Sequence, residues 1–239
     1  MSVRVTNLLF GTTPALIHAQ GHHDYKPLWL PIRDAFFGSS RENLTLRPDL
    51  TLVTCNNGGA AMGLFERSLD HLGLTCTVAG RGIAEWINSR DKPQALLSAL
   101  NAIDTTYTLY ADSRDAILID DPNALPERFA ASGCELLFSA DRMNWPPCRE
   151  FERYEDALAA GQQGDFRYLN GGLWIGRTDF CRRFFAEVAA TEPVEEAPDS
   201  EQGLLKRLLP RYRDEVRLDY RCALFQNIGF VAKPILRID

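Results

Sequence analysis

The strongest constraint on the fold is an alternation of short apolar runs and amphipathic segments between residues 50 and 141. Five runs have the length and composition of strands: LTLVTC, LTCTVAG, TYTLYAD, DAILIDDP and ELLFSAD. Three segments between them repeat apolar residues at helical spacing: AMGLFERSLDHLG, KPQALLSALNAI and NALPERFAASG. Strands that alternate with helices predict an α/β domain in which helices flank a mostly parallel, doubly wound sheet.

The C-terminal part of the chain is less regular. GGLWIG is typical of a strand, TDFCRRFFAEVAA of a helix capped by Thr178, and EQGLLKRLLP of a helix that stops at Pro210. The tail from Cys222 onward contains more strand-forming residues. The chain has 239 residues, which suits one α/β domain or two small ones, and it contains no internal repeat.

Composition and charge exclude several classes of protein. The net charge of −6 leaves no sequence-wide basic field for a nucleic-acid backbone. No apolar run approaches the roughly 20 residues of a membrane span, and the N-terminal apolar run is too short and broken for a signal peptide. The six cysteines include no C-x-x-C pair, which favours buried free thiols in a reducing compartment. We therefore expect a soluble cytoplasmic protein.

Two aspartates follow a predicted strand. In TLYADSRDAILI, Asp112 and Asp115 lie where the strand ends, and ligands of a doubly wound sheet bind beyond the carboxyl ends of its strands. Two carboxylates suit Mg²⁺ or Mn²⁺, which would neutralise a diphosphate leaving group. The spacing alone also fits a surface turn in which Asp115 pairs with an arginine.

The residues around these aspartates resemble the glycosyltransferase domain of procollagen lysyl hydroxylases and related collagen glycosyltransferases. The resemblance begins at YADSRDAILI and continues, in the family's order, through LLFSADRMNWPP, RYLNGGLWIG, PDSEQGLL and LDYRCALFQN. It covers most of residues 50–228 and implies a GT-A fold with a nucleotide-sugar donor. No segment matches the family's oxidative domain, so hydroxylation is not expected.

The family's third metal ligand is a histidine in a segment that follows the FQN motif. Here only FVAKPILRID follows FQNIG, whereas PALIHAQGHHDYK near the N-terminus resembles the missing segment. The resemblance therefore implies a circular permutation within a single glycosyltransferase domain, residues 1–239. In this interpretation 1–27 is the family's C-terminal segment, 28–49 is a connector, and 50–239 is the nucleotide-binding and acceptor-side core. The two termini should then lie close together.

The permuted match implies a metal site formed by His18, Asp112 and Asp115. An imidazole ligand favours Mn²⁺, with Mg²⁺ as the alternative.

The same N-terminal segment supplies candidate phosphate contacts. Gly21 would let the backbone approach the phosphates, and Lys26 would contact the diphosphate. Because the spacing from Gly21 to Lys26 is two residues longer than in the family, His22 or His23 is an alternative to Lys26.

Further residues match positions that lie beside the nucleotide or the sugar in the family. They are Thr54, Trp86, Ser113, Asn170, Gly171 and Gly172. Lys92 is a second candidate phosphate contact, with a solvated surface lysine as the alternative. The two glycines would permit close approach of a sugar, and the asparagine amide would bond its hydroxyls. Thr54 and Trp86 also fit packing roles, and Trp145 lies in a Trp-Pro loop that resembles the family's flap over the donor.

On the acceptor side, Asp199 and Glu201 match the family's acidic run. Either carboxylate would orient or deprotonate the acceptor hydroxyl as a catalytic residue. The alternative is that this segment only caps the helix that begins near Glu201.

Together these features predict a metal-dependent glycosyltransferase that moves a sugar from a UDP-sugar to a hydroxyl of an unknown peptide, glycan or small molecule. A nucleotidyltransferase with a similar sheet and metal is an alternative, and so is a non-catalytic domain that binds nucleotide sugars. The LNGG and DSEQ segments favour sugar transfer.

Overall fold

The structure is a computed structural model that describes residues 3–21, 27–59, 62–229, 231 and 235–239. Its strands are β1 (Val5–Asn7), β2 (Leu16–His18), β3 (Leu50–Cys55), β4 (Thr77–Ala79), β5 (Tyr107–Ala111), β6 (Ala116–Leu118), β7 (Leu136–Asp141), β8 (Tyr168–Arg177), β9 (Val216–Asp219), β10 (Phe225–Asn227) and β11 (Leu236–Ile238). Its α-helices are α1 (Trp29–Gly38), α2 (Leu64–Leu72), α3 (Asn88–Asn101), α4 (Leu125–Ala130), α5 (Arg149–Leu158), α6 (Thr178–Ala190) and α7 (Glu201–Leu208). Each strand and helix predicted from the sequence corresponds to one of these elements, whereas α1 and α5 were not predicted.

The main sheet has six strands in the order β4-β3-β5-β8-β7-β9. Only β8 runs against its neighbours, and the other pairings are parallel. The expected α/β class, with a mostly parallel sheet flanked by helices, is therefore confirmed. Because β8 is reversed, residues 170–172 near its start lie at the edge where β5 and β7 end.

Aromatic packing fixes the centre of this sheet. Trp174 of β8 stacks on Tyr110 of β5 with ring centroids 5.3 Å apart, and Phe185 of α6 lies 5.0 Å from the same indole. All three rings are fully buried, and each contributes on the order of 1.5–3 kcal/mol of transfer free energy. Helices α3, α6 and α7 pack against one another above this cluster. The site described below is therefore built on a rigid support.

A second, three-stranded sheet joins the two ends of the chain. Strand β2 pairs in parallel with β10 and antiparallel with β6. Strands β1 and β11 form a separate antiparallel ribbon, in which the amides of Arg4 and Asp239 donate to each other's carbonyls at 3.0 and 2.9 Å. The N-terminal and C-terminal segments are thus neighbours, which agrees with the proximity expected from a permuted chain.

Two helix starts differ from, or refine, the sequence interpretation. Thr178 is the first residue of α6 and not its cap, and its hydroxyl lies 2.9 Å from that of Thr108. Ser200 caps α7, since its hydroxyl accepts from the amide of Gly203 at 3.3 Å. Among the described helices, none has the length and apolar character needed to cross a membrane.

Candidate functional site

A cleft opens where β3 and β5 end. Residues from both strand ends, from α3 and from the turn that precedes it line this cleft, among them Cys55, Trp86, Lys92, Asp112, Ser113 and Asp115. The carboxyl edge of a parallel sheet is where α/β proteins bind ligands. The fold therefore collects most of the predicted donor-side residues in one place.

His18, Asp112 and Asp115 converge beside the cleft, although almost a hundred residues separate the histidine from the aspartates. Strand β2 pairs with β6 so that His18 lies opposite Ala116, next to Asp115. His18 Nε2 is 3.2 Å from Asp115 Oδ1 and 3.7 Å from Asp112 Oδ2. One ligand atom from each residue lies within 4.8 Å of the others. This spacing suits a single divalent cation between them.

The electrostatics of the three residues also suit a cation. Burial disfavours a charge on His18, but the Asp115 carboxylate, assisted by Asp112, outweighs burial and raises the pKa of His18 to about 8. His18 Nε2 is buried and has no hydrogen-bond partner of suitable geometry among the described residues. After loss of its proton, a buried imidazole nitrogen that faces two carboxylate oxygens completes a set of ligand atoms that fits Mn²⁺.

Gly172 makes this arrangement possible. A Cβ atom at Gly172 would lie 2.2 Å from His18 Cε1 and 2.8 Å from Asp112 Oδ2. Any side chain would therefore displace the histidine or the aspartate. The sequence predicted that this glycine would make room for a sugar, whereas in the structure it makes room for two candidate metal ligands.

Lys92 links the candidate metal site to Glu201 of α7. Its Nζ lies 2.9 Å from Asp112 Oδ1 and 3.3 Å from Glu201 Oε2. Tyr110, which the sequence analysis did not select, donates its hydroxyl to the same oxygen of Asp112 at 2.7 Å. Burial opposes the charge on Lys92, but the two carboxylates outweigh it and raise the lysine pKa. Lys92 is therefore a buried cation between two acids and not a solvated surface residue.

Glu201 and Asp199 lie in different environments. Glu201 begins α7 and is 5% exposed, and burial raises the pKa of its carboxyl group. Its Oε1 is buried and has no hydrogen-bond partner within the described chain. Asp199 is exposed before the helix, where Ser200 supplies the cap. The structure thus brings Glu201, but not Asp199, into contact with Lys92.

Asn170 lies within β8 and not in a turn. Its Nδ2 donates to Asp141 Oδ2 at 3.1 Å, and its Oδ1 accepts from the amide of Gly172 at 2.9 Å. Asp141 is 2% exposed and also accepts from Gln20 Nε2 at 2.9 Å, and burial raises its carboxyl pKa. The sequence analysis missed Asp141, although an acid at the end of ELLFSAD is the same signal that selected Asp112.

Three predicted nucleotide contacts have mainly internal partners. Thr54 is fully buried and donates to the carbonyl of Ala111 at 2.7 Å. Ser113 lies 2.8 Å from both oxygens of Glu66. Trp86 is half-buried in the wall of the cleft. Its ring packs directly on Gly80, since a Cβ atom added to this glycine would lie 2.6 Å from the ring. Of the three, only Trp86 offers a face to a bound nucleotide.

Part of the predicted phosphate-binding segment lies outside the described residues. Lys26 and its alternatives, His22 and His23, are in this group. Gly21 is described, and its φ of +75° is in the left-handed region that favours glycine.

Trp145 lies on a loop that α7 holds in place. Gln202 Nε2 donates to the Trp145 carbonyl at 2.6 Å, while Gln202 Oε1 accepts from the amide of Gly171 at 3.0 Å. One turn later, Lys206 Nζ donates to Asn144 Oδ1 at 2.7 Å. The Trp145 side chain is 49% exposed. An exposed indole next to a cleft is a suitable apolar platform for a sugar ring.

Comparison with known proteins gives a family match over most of the chain. The model of the family described as PLOD GT domain matches residues 48–236. The multifunctional procollagen lysine hydroxylase and glycosyltransferase LH3 of Homo sapiens is 31% identical over 183 residues, which are 73% of this chain and 23% of that protein. The procollagen-lysine,2-oxoglutarate 5-dioxygenase of Drosophila melanogaster is 29% identical over 138 residues, 56% of this chain and 18% of that protein. The chain therefore spans about a quarter or less of the length of these relatives.

A comparison with solved structures finds glucosyl-3-phosphoglycerate synthase from Mycobacterium tuberculosis in complex with Mn²⁺, UDP and phosphoglyceric acid. It superposes with a TM-score of 0.38 at 15% identity, over 88% of this chain and 77% of that one.

Proposed function

The chain belongs to the PLOD GT domain family, and from this premise we propose that it is a metal-dependent glycosyltransferase that transfers a sugar from a UDP-sugar to an acceptor hydroxyl. The observation that carries the proposal is the convergence of His18, Asp112 and Asp115 at the carboxyl edge of the sheet. A cation held there, preferably Mn²⁺, would neutralise the diphosphate of the departing UDP.

The residues around the metal site have separate roles in this proposal. Trp86 stacks on the base of the nucleotide from the wall of the cleft. Lys92 holds the carboxylates of Asp112 and Glu201 in position through its buried ammonium group. This role replaces the direct phosphate contact expected from the sequence. Gly172 keeps the metal ligands close together.

Glu201 is the proposed base for the acceptor hydroxyl. Burial raises its pKa, and a carboxylate with a raised pKa is a better proton acceptor near neutral pH. Its second oxygen, Oε1, is buried and has no hydrogen-bond partner among the described residues. Asp199, which is exposed, serves at most the rim of the acceptor site.

We also propose that the domain is circularly permuted, with 1–27 as the displaced C-terminal segment, 28–49 as the connector and 50–239 as the core. The family match begins at residue 48, so His18 lies outside it. Strand β2 nevertheless lies between β10 and β6, where a segment that follows β10 would be expected, and β1 pairs with β11. These contacts support a chain whose original end and beginning have been exchanged.

A UDP-release assay tests the proposed function. Purified protein is incubated with a panel of UDP-sugars, hydroxyl acceptors and Mn²⁺, with and without a chelator, and the UDP released is measured. Mn²⁺-dependent UDP release that is lost in Asp115→Ala and kept in Asp104→Ala, an exposed acid away from the site, would support sugar transfer.

The other outcomes identify the alternatives. A parallel reaction with UTP and sugar 1-phosphates that releases pyrophosphate would indicate a nucleotidyltransferase, since the sugar phosphate then attacks the α-phosphate of UTP and pyrophosphate leaves. Mn²⁺-dependent binding of a UDP-sugar without UDP release, over a panel of hydroxyl acceptors, would indicate a binding domain. Full activity of Asp115→Ala in chelator would overturn the metal-dependent proposal.

A further inference from the structure

The buried amide of Asn227 has one possible orientation. Asn227 ends β10 and is fully buried. Its Nδ2 donates to the carbonyl of Ala140 at 2.8 Å, and its Oδ1 lies 2.9 Å from His18 Nδ1. A carbonyl oxygen accepts but never donates, so the amide nitrogen must face Ala140. The amide oxygen must then face the histidine.

This orientation determines where His18 carries its proton. An amide oxygen only accepts, so Nδ1 of His18 must be the donor in the 2.9 Å contact. A neutral His18 then has its lone pair on Nε2, the atom that lies 3.2 Å from Asp115 Oδ1. Nε2 is also the buried atom that lacks a suitable hydrogen-bond partner among the described residues.

We propose that Asn227 is a positioning residue that keeps His18 as the Nδ1–H tautomer and thereby presents Nε2 as the ligand for a divalent cation. The inference rests on the proposed function, because it assumes that the site holds a metal. It goes further by assigning a role to a residue that touches neither metal nor substrate. Partners of this kind fix the tautomer and the ring orientation of metal-binding histidines in general.

The backbone keeps the two residues in register. Strands β10 and β2 pair in parallel with Asn227 opposite His18, and the amide of Ile228 donates to the His18 carbonyl at 2.9 Å. Through Ala140, Asn227 is also tied to the end of β7. The histidine ring is therefore oriented from the C-terminal part of the chain, 209 residues away.

A purely structural role for Asn227 must be separated from this one. Removal of a buried amide that makes two hydrogen bonds costs on the order of 1–3 kcal/mol of stability, whatever its role at the site. A matched control is Asn7, which is also fully buried and whose Nδ2 donates to Gln226 Oε1 at 2.8 Å. Asn7→Ala removes an equivalent amide without touching the histidine.

The experiment measures Mn²⁺ affinity from the electron paramagnetic resonance signal of free Mn²⁺. We expect Asn227→Ala to weaken Mn²⁺ binding about 10–100-fold and Asn7→Ala to leave it unchanged. Asn227→Asp should restore most of the affinity, because a carboxylate oxygen also accepts from Nδ1–H. If Asn227→Ala does not fold, the isosteric Asn227→Leu takes its place, with the same expected loss.

Nitrogen-15 spectra of histidine-labelled protein give a second measurement that needs no metal. Under conditions in which the spectrum itself shows a neutral His18, the wild type should show the Nδ1–H tautomer and Asn227→Ala a mixture or the Nε2–H form. Wild-type Mn²⁺ affinity retained within twofold in Asn227→Ala would overturn the inference and leave the proposed function intact. A wild-type protein that binds no Mn²⁺ would overturn both.

Discussion

Replacement of Lys92 by methionine should lower stability and raise metal affinity at the same time. Lys92 is 6% exposed, and its ammonium group lies 2.9 Å from Asp112 and 3.3 Å from Glu201. Methionine preserves most of the side-chain volume and removes the charge. Two carboxylates then face each other without a cation between them.

The expected loss of stability follows from the burial of these charges. Removal of one partner from a buried ion pair costs about 3–5 kcal/mol, because the remaining charge is left uncompensated. For a domain of 239 residues, 1 kcal/mol corresponds to roughly 2–4 °C in Tm. Lys92→Met should therefore melt about 6–20 °C below the wild type in the absence of metal.

The loss should depend on pH in a defined direction. Burial already raises the pKa of Glu201 above its ordinary value, and Lys92 partly opposes that increase. Without Lys92 the folded-state pKa rises further, so the folded variant binds more protons than the unfolded chain. The stability of Lys92→Met is then retained at acid pH and is lost as the pH rises through the folded-state pKa of Glu201. The gap in Tm should widen as the pH rises above the ordinary range of a glutamate.

In contrast to stability, Mn²⁺ affinity should increase in Lys92→Met. A fixed positive charge beside Asp112 repels a divalent cation, and its removal should tighten Mn²⁺ binding by at least about tenfold, or roughly 1.4 kcal/mol. A Mn²⁺ titration followed by differential scanning calorimetry measures both effects, because a ligand that binds the folded state raises Tm by mass action. Mn²⁺ should raise the Tm of Lys92→Met by more than that of the wild type.

Lys206 provides the matched control. It is also buried, and its Nζ lies 2.7 Å from Glu155 Oε2, which is not a candidate metal ligand. Lys206→Met should lower stability with no change in the Mn²⁺ response. An equal Mn²⁺ response in the two variants would refute the placement of Lys92 beside the cation. Wild-type stability of Lys92→Met would refute the buried pairing itself.

Three further results are expected. Gly172→Ala should weaken Mn²⁺ binding, measured by calorimetry, about tenfold or more, because the new Cβ would lie 2.2 Å from the His18 ring. Gly176→Ala, which crowds only core residues, should change stability and leave Mn²⁺ binding unaltered. Glu201→Gln should lower UDP release in the presence of acceptor by roughly 10²–10⁴-fold without changing UDP affinity. Replacement of the exposed Asp199 by asparagine should have little effect. Equal losses of activity in the two variants would contradict the assignment of Glu201 as the base. A chain whose termini are joined by a short linker and opened between residues 38 and 48 should fold and bind Mn²⁺, and insoluble product with several linker lengths would count against the permutation.

The sequence predicted five of the six strands of the main sheet because their patterns are local, whereas β9 was not predicted. Alternating apolar runs and helical segments are sufficient to predict the strands and helices between residues 50 and 141. Helix α1 was missed because its segment was assigned to a connector. The reversed direction of β8 could not be read from GGLWIG, since strand direction depends on partners far along the chain.

The site shows the same division between local and long-range information. Asp112 and Asp115 were predicted from their place after a strand, and His18 from its resemblance to a family motif. Lys92 was selected for a phosphate contact, but its burial between two acids depends on how α3 meets α7, which no local pattern records. Asn227 was noted only as part of the FQN motif. Its importance arises because β10 pairs with β2 so that Asn227 lies opposite His18, which no local pattern shows.

Strand β2 positions the candidate histidine ligand before any cation binds. The family match at 48–236 contains both aspartates but no described residue that could take the place of His18 as the third ligand of this group. Strand β2 brings that histidine together with Leu16 and Ile17, which are fully buried between β10 and β6. Burial of each of these two side chains contributes on the order of 1.5–3 kcal/mol, so the strand is held in place whether or not a cation is bound. The apolar residues of β2 therefore preorganise the histidine, and a cation that binds there needs only to displace a proton and not to order a strand.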